Sequence, residues 1–240
     1  MEKTSKALST LSRIIFKGRE MDEITKKWFD ASTVKVVLDS TLEGWLTTDE
    51  LVRLSGAPRH STLYVAPANG DMVELRVENA ELLAEPLVRL VAQDGDDFAF
   101  FIVNAAFNLN IGAQRMGIGA RSVSIELHEA LALKCFTTVK TDAVGDYASA
   151  QWADPISGYL VWPLLGFDAD IPRHLFSHPK FPADRQGCTR LLELIETQEG
   201  EEFWEEFGSS IKVEFDLTPD SNCWKQHKRY TYERKIEVQP

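Results

Sequence analysis

The stretch of the chain that most constrains the fold is residues 114–120, which place two glycines between an apolar run and a helix-like segment. Residues 98–107 form the apolar run, and residues 118–134 carry apolar side chains near helical spacing. Glycines at such a turn let backbone N–H groups approach an anion closely, and a helix N-terminus behind them adds a favourable dipole. The stretch therefore predicts a strand, a tight turn and a helix with a geometry that suits a diphosphate.

Two common nucleotide loops do not fit this stretch. A dinucleotide fingerprint needs a third glycine after Gly119, and the corresponding position is Ser122. A phosphate-binding loop of the Gly-Lys-Ser/Thr type also fails, because no such tripeptide follows. The glycines alone are equally compatible with a simple helix entry, since glycine often serves turns and helix caps for steric reasons.

The order of the remaining elements predicts an α+β fold. Two N-terminal helices at 5–17 and 20–30 precede a strand at 34–38 and a helix at 48–54, which Thr47 and Glu50 cap. Hairpins at 62–77 and 87–107 follow, and residues 98–107 predict a central strand covered on both faces. A strand at 136–141, a helix at 191–206 broken at Gly200 and a strand at 211–217 complete a mixed, mainly antiparallel sheet flanked by helices.

Charge and composition exclude several classes of function. The formal net charge of −11 over 240 residues argues against broad nucleic-acid binding, which requires clustered cations. The longest apolar run is too short to span a bilayer, so we expect no membrane partner. Residues 3–19 are basic and rich in Ser and Thr, but an amphipathic helix is favoured over a transit peptide. Three widely spaced cysteines favour a reducing compartment, and we expect the cytoplasm.

No other group of residues predicts a metal site or a nucleophile. His174 and His178 have the spacing of two ligands on a helix, but prolines bracket them and no third ligand is near in sequence. Cys223 and His227 have the same weakness. Cys135 favours a core thiol over a nucleophile. We therefore expect no metal.

Two segments resemble the GNAT superfamily of acyltransferases. Gln114-x-x-Gly117-x-Gly119 is similar to the family's Gln/Arg-x-x-Gly-x-Gly/Ala motif, which joins its fourth strand to its third helix. Residues 158–168, Gly-Tyr-Leu-Val-Trp-Pro-Leu-Leu-Gly-Phe-Asp, resemble the segment of a group of uncharacterised bacterial GNAT-like proteins. The resemblance covers roughly residues 62–220. It implies a GNAT-like domain at 33–220, with an N-terminal helical extension at 1–32 and a C-terminal extension at 221–240.

The resemblance implies an N-acyltransferase that uses acetyl-CoA or another acyl-CoA as co-substrate. The acceptor would be an amine on a small molecule or a protein, and the sequence does not identify it or the oligomeric state. Backbone groups of the glycine loop would hold the pyrophosphate, and the end of the preceding strand would bond the pantetheine. The implied cofactor-binding residues are Ala106, Phe107, Asn108, Leu109, Gln114, Arg115, Met116, Gly117, Ile118, Gly119 and Ala120.

The sequence departs from the family where catalysis is concerned. The family's acid is often a tyrosine four residues before the Gly-Phe pair, and that position is Trp162, whose indole cannot protonate a thiolate. Tyr159 or a water molecule would have to act as the acid instead. Pro163, directly after Trp162, makes an ordinary helix through this segment doubtful. The nearest candidate bases are Glu74, Asp142 and Asp146. No catalytic residue is assigned. The alternatives are an inactive CoA-binding or interaction module, and an unrelated α+β protein whose strand pair would stay closed at Asn108.

Overall fold

The computed structural model describes residues 21–95 and 98–238, and a seven-stranded sheet organises them. The spatial order of the strands follows the chain. The first two strands pair in parallel, as do the fifth and sixth, and the other pairs are antiparallel. This confirms the predicted α+β fold with a mixed, mainly antiparallel sheet. The strands are β1 (Lys35–Leu38), β2 (Thr62–Ala68), β3 (Met72–Glu78), β4 (Leu87–Gln93), β5 (Phe100–Ala106), β6 (Phe136–Asp146) and β7 (Ser209–Asp216).

Seven α-helices accompany the sheet in the described part of the chain. They are α1 (Glu23–Trp28), α2 (Thr48–Ser55), α3 (Ile118–Leu133), α4 (Gly158–Leu164), α5 (Leu191–Leu194), α6 (Gln198–Phe207) and α7 (Asn222–Glu233). The predicted helix at 5–17 lies outside the described residues. Thr47 and Glu50 form the predicted capping box of α2, and Gly56 ends that helix in the left-handed conformation.

The two faces of the sheet differ in burial. One face carries the buried apolar side chains, among them Leu75, Ile102 and Phe215, and packs against helices that include α2, α3 and α7. Side chains of the other face, such as Tyr64 and Val103, are only half-buried or are exposed. The prediction that β5 is covered on both sides is therefore wrong. On β5, Ile102 lies on the buried face, and Phe101 and Val103 lie half-buried on the other face.

Helix α4 forms in spite of the proline that made it doubtful. Pro163 lies inside the helix and cannot donate the hydrogen bond that the carbonyl of Tyr159 would otherwise accept. The indole Nε1 of Trp204, on α6, donates to that carbonyl at 2.9 Å. A long-range side-chain contact thus replaces the missing backbone donor.

Gly200 does not break the 191–206 helix as predicted. The break falls at residues 195–197, and Thr197 caps the new helix α6, in which Gly200 is the third residue. A side chain at Gly200 would collide with the carbonyl of Leu194. The glycine is therefore required by the close approach of α5 and α6.

No helix in residues 21–95 and 98–238 is long and apolar enough to cross a bilayer.

The packing at Gly200 predicts a specific loss of stability. Gly200→Ala should lower the free energy of unfolding by about 1–3 kcal/mol, because the added methyl group meets a backbone carbonyl that cannot move freely. Gly187→Ala is the matched control, since its methyl group would enter open space, and we expect a change within about 0.5 kcal/mol. Urea denaturation measures both. Equal effects of the two substitutions would contradict this account of α5 and α6.

Candidate functional site

The parallel strands β5 and β6 separate before either of them ends. Their pairing stops at Asn104 and Thr141, whereas β6 continues to Asp146. On the other edge of β5, Ala105 is an extra residue opposite β4, so β5 carries a bulge at this point. A bulge bends its strand and increases the local twist, which accounts for the separation. The strand pair is open well before Asn108.

Buried charges fix the position where the strands part. Arg89 of β4 donates from Nε to Asn104 Oδ1 at 2.8 Å and pairs with Glu126 of α3 at 3.1 Å. Asn104 Nδ2 donates to the same carboxylate at 3.1 Å. Burial raises the pKa of Glu126, and the charge of Arg89 and the hydrogen bond from Asn104 oppose that rise. Sequence analysis missed this network, because Arg89 and Glu126 are far apart in the chain and no local pattern around either residue predicts a buried ion pair.

The glycine loop delivers the N-terminus of α3 to the opening between the strands. Gly117 is the N-cap residue and has φ 73°, a left-handed conformation that favours glycine. The first backbone N–H of this helix that bonds a protein carbonyl is that of Arg121. The N–H groups of Ile118, Gly119 and Ala120 donate to no acceptor among the described residues. They are the donors that a helix N-terminus offers to an anion.

An ion pair holds this helix end in place. Arg121 pairs with Asp22 at 2.9 Å, and its Nη1 also donates to the carbonyl of Gly117 at 3.0 Å. Asp22 in turn caps α1 through the N–H groups of Ile24 and Thr25. Burial alone would raise the pKa of Asp22, but hydrogen bonds from Arg121, the N–H of Glu237 and Thr25 lower it to about 2. The N-terminal helix is thereby joined to the glycine loop.

A cavity of about 1540 Å³ occupies the space between the separated strands. Consecutive residues Lys140, Thr141 and Asp142 all line it, so it reaches both faces of the sheet. Nine of the eleven predicted cofactor-binding residues lie in its wall: Ala106, Phe107, Asn108, Leu109, Gln114, Arg115, Gly117, Gly119 and Ala120. Met116 and Ile118 do not: Met116 points to solvent and Ile118 is fully buried, so only their backbone groups can serve a ligand.

Gln114 joins the two walls of the cavity. Its Nε2 donates to the carbonyl of Leu109 at 3.3 Å and to Asp154 at 3.2 Å. Asp154 belongs to the segment 147–157 that follows β6, and it also lines the cavity. The first residue of the glycine motif therefore connects the loop to the wall on the other side of the opening.

Charges are distributed unevenly around the cavity. Arg115 is exposed beside the N-terminus of α3 and has no ion pair within the described residues. Arg190, at another part of the wall, is already paired with Asp168 and Asp170. Carboxylates line the cavity both beside the glycine loop, where Asp154 bonds Gln114 and Glu85 bonds Asn108, and farther away: Asp142, Glu205 and Glu214. The glycine loop therefore suits an anion through the free N–H groups of α3 and through Arg115, and not through a lack of carboxylates.

Tyr159 is not available as the acid that sequence analysis considered. Its side chain is fully buried, its hydroxyl donates to the carbonyl of Glu205 at 2.8 Å, and burial raises its pKa. Trp162 lines the cavity and packs edge-on against Phe167. Of the three candidate bases, Asp142 lines the cavity, whereas Glu74 and Asp146 do not.

The histidines and cysteines do not form a metal site or a nucleophile in the part of the chain that the structure describes. The ring of His178 packs against Phe203 and Phe207. Burial raises the pKa of Cys223 to about 12, which disfavours the thiolate. The buried ring of His227 donates to the carbonyl of Leu165 and has a pKa lowered to about 3, mainly by burial. These groups serve the core.

Comparison of this chain with protein-family models, with curated proteins and with solved structures finds no match.

The ion pair at the helix end predicts an acid-dependent loss of stability. A lowered pKa contributes stability that is present above the unfolded value of 3.8 and is lost as the pH falls to about 2. Asp22→Asn should therefore lower the free energy of unfolding at neutral pH by about 2 kcal/mol. It should also flatten the decline between these pH values. Urea denaturation at several pH values measures both effects.

Asp30→Asn is the control for this measurement. Asp30 also caps a short turn, through the N–H of Ser32, but it has no ion pair among the described residues. A pH dependence that is unchanged in the Asp22 variant would show that Arg121 does not hold the helix end through this carboxylate.

Proposed function

We propose that this protein binds an acyl-CoA, acetyl-CoA or a longer homologue, and transfers the acyl group to the nitrogen of an amine. The observation that carries the proposal is the opening between β5 and β6, into which the glycine loop presents the N-terminus of α3. A cavity at a separated parallel strand pair, with free N–H donors at one end, has the form that an extended diphosphate-bearing thioester requires. The resemblance of the glycine loop and of residues 158–168 to GNAT acyltransferases adds the reaction class.

Each part of the ligand has a group that suits it. The backbone N–H groups of residues 116–120 would hold the diphosphate, with Arg115 as a neighbouring cation. The end of β5, from Ala106 to Leu109, lines the cavity and offers backbone groups to the pantetheine amides. The carboxylates farther along the wall favour an acceptor that arrives as a cation.

The transfer itself is a direct substitution at the thioester carbonyl. An amine that arrives as its ammonium ion first releases one proton to water. The neutral nitrogen then forms a bond to the carbonyl carbon, the carbon–sulfur bond breaks, and the second proton lost by the nitrogen ends on the CoA thiolate. Asp142 is the one candidate base of sequence analysis that lines the cavity, but the geometry assigns it no contact with a substrate. We propose no catalytic residue.

A second candidate is a CoA-binding or interaction module without catalysis. The observation that favours this module is the lack of an acid in the expected place. Trp162 occupies the position of the family's acid, and the Tyr159 hydroxyl already donates to the carbonyl of Glu205. A library of amines incubated with acetyl-CoA separates the two candidates. Acylated product supports the enzyme, and CoA binding without any product supports the module.

We further propose that the protein acts in the cytoplasm. The support is that Cys135, Cys188 and Cys223 all remain free thiols.

Calorimetric titration with CoA and with acetyl-CoA tests the ligand directly. We expect binding of both, with an affinity that falls as salt is raised, because a diphosphate is the main recognised charge. Absence of binding at millimolar concentration for both compounds would overturn the proposal.

Gly119 offers a sharp variant for the same titration. A side chain there would point toward Leu109 and Phe107, at 3.7 and 3.9 Å from its Cβ, and thus into the cavity wall. Gly119→Val should weaken CoA binding at least about tenfold by narrowing the space beside the helix end. Gly112→Val is the control, because Gly112 lies in the adjacent turn and faces open space. Equal affinities for the two variants would place CoA elsewhere.

Tyr159→Phe tests whether the phenol takes part in the reaction. We expect the rate of acyl transfer to stay within about twofold of the unsubstituted protein, because the hydroxyl is already bonded to the carbonyl of Glu205. The free energy of unfolding should fall by about 1 kcal/mol, since that carbonyl loses its donor. A steady-state assay and urea denaturation measure the two effects. A large loss of turnover with an unchanged KM would instead identify Tyr159 as the acid.

A further inference from the structure

Large exposed hydrophobic side chains concentrate around the cavity. Eleven are exposed in the described residues, and five of them lie within residues 144–161, in the end of β6 and the wall that follows it. Two more, Ile111 and Met116, belong to the turn and the loop before α3 on the facing side. Scattered single exposed apolar residues are normal on a protein surface. Seven of the eleven therefore lie in the two chain segments that flank the opening, and three of them line the cavity.

Three of these side chains line the cavity itself and lie together. Val144 is 51 % exposed, Ile156 is 41 % exposed and Val161 is 38 % exposed. Gly145 and Ser157 form an antiparallel bridge, so Val144 lies opposite Gly158 and Ile156 is its diagonal neighbour on the same face, while Val161 follows one helical turn after Ser157. Leu160 of α4 also lines this part of the wall. We call Val144, Ile156, Leu160 and Val161 the apolar wall.

The apolar wall lies inside a recess whose volume exceeds that of ordinary ligand sites. Pockets for small molecules occupy roughly 300–1,000 Å³, whereas this cavity has about 1540 Å³. The contact between Gln114 and Asp154 joins the glycine loop to the segment that carries Ile156. The polar end and the apolar wall are therefore parts of one open cleft, along which a single ligand with a polar head and an apolar tail would lie.

We propose that the apolar wall binds the hydrocarbon chain of a medium-chain acyl-CoA, so that the preferred acyl donor is longer than acetyl. This inference rests on the function proposed above, in which the glycine loop holds the CoA diphosphate. An acetyl group would leave the half-exposed side chains of the apolar wall uncovered. A longer chain continues from the thioester into the unfilled part of the cavity and removes that apolar surface from water, which is favourable for every methylene buried.

Calorimetric titration with three ligands tests the inference: CoA, acetyl-CoA and decanoyl-CoA, the last kept below its micelle concentration. Each buried methylene strengthens binding by about fourfold, so decanoyl-CoA should bind at least about 50-fold tighter than acetyl-CoA even when part of the chain stays in water. Equal affinities for all three compounds would overturn the acyl-chain inference and leave the proposed function standing. Failure of CoA and acetyl-CoA to bind would overturn the proposed function and this inference with it.

Charged substitutions in the apolar wall locate the chain. Val144→Asp and Val161→Asp should reduce the preference for decanoyl-CoA to below about fivefold while the affinity for CoA stays within about twofold. Val37→Asp is the matched control, because Val37 is 40 % exposed on the edge strand β1 and lines no part of the cavity. Unchanged CoA affinity shows that the variants fold. A preference retained in both wall variants would overturn the assignment of the chain to this wall.

Discussion

Arg89 and Glu126 form an ion pair almost without solvent exposure, and both of them bond Asn104 at the last paired position of β5. Removing one partner of such a pair would leave a buried charge uncompensated, so the three residues are locked together. Beyond them β5 bulges at Ala105 and parts from β6. The opening thus begins where α3, β4 and β5 are most firmly joined, and a rigid boundary of this kind gives the cavity a defined position.

The two faces of the sheet differ in burial, and the two ends of the cavity differ in polarity. Helices cover the face that carries the buried apolar side chains, whereas side chains of the second face remain partly exposed. Because the cavity passes between β5 and β6, it connects a well-packed interior with the open face. A ligand that enters there meets free N–H donors at the glycine loop and apolar side chains beyond β6. A single ligand that fills the cavity therefore needs a hydrogen-bond acceptor at one end and an apolar group at the other.

Local patterns in the sequence predicted most elements but not their long-range contacts. Alternation located the hairpins, and the capping box of Thr47 and Glu50 located α2. The errors at Pro163 and Gly200 share one cause. Each residue disfavours a helix by itself, and a contact with another element explains its place in one. The Trp204 indole replaces the donor that Pro163 lacks, and the Leu194 carbonyl leaves room only for a glycine at position 200. Glycine spacing likewise located the loop of the candidate site, whereas the apolar wall and the Arg89 network depend on tertiary contacts that no local pattern encodes.

Arg121 connects helix α1 to the glycine loop, because it pairs with Asp22 and donates to the carbonyl of Gly117. A carbonyl that faced the cavity would repel an anion, but the carbonyl of Gly117 accepts hydrogen bonds from the side chain and the N–H of Arg121. The N–H groups of Ile118, Gly119 and Ala120 bond no acceptor in residues 21–95 and 98–238. Asp22 neutralises the guanidinium, so the positive character at the helix end comes mainly from backbone donors and Arg115. Backbone N–H donors at a helix end suit a phosphate whatever side chains surround them, so a site built in this way would specify a ligand more than a reaction.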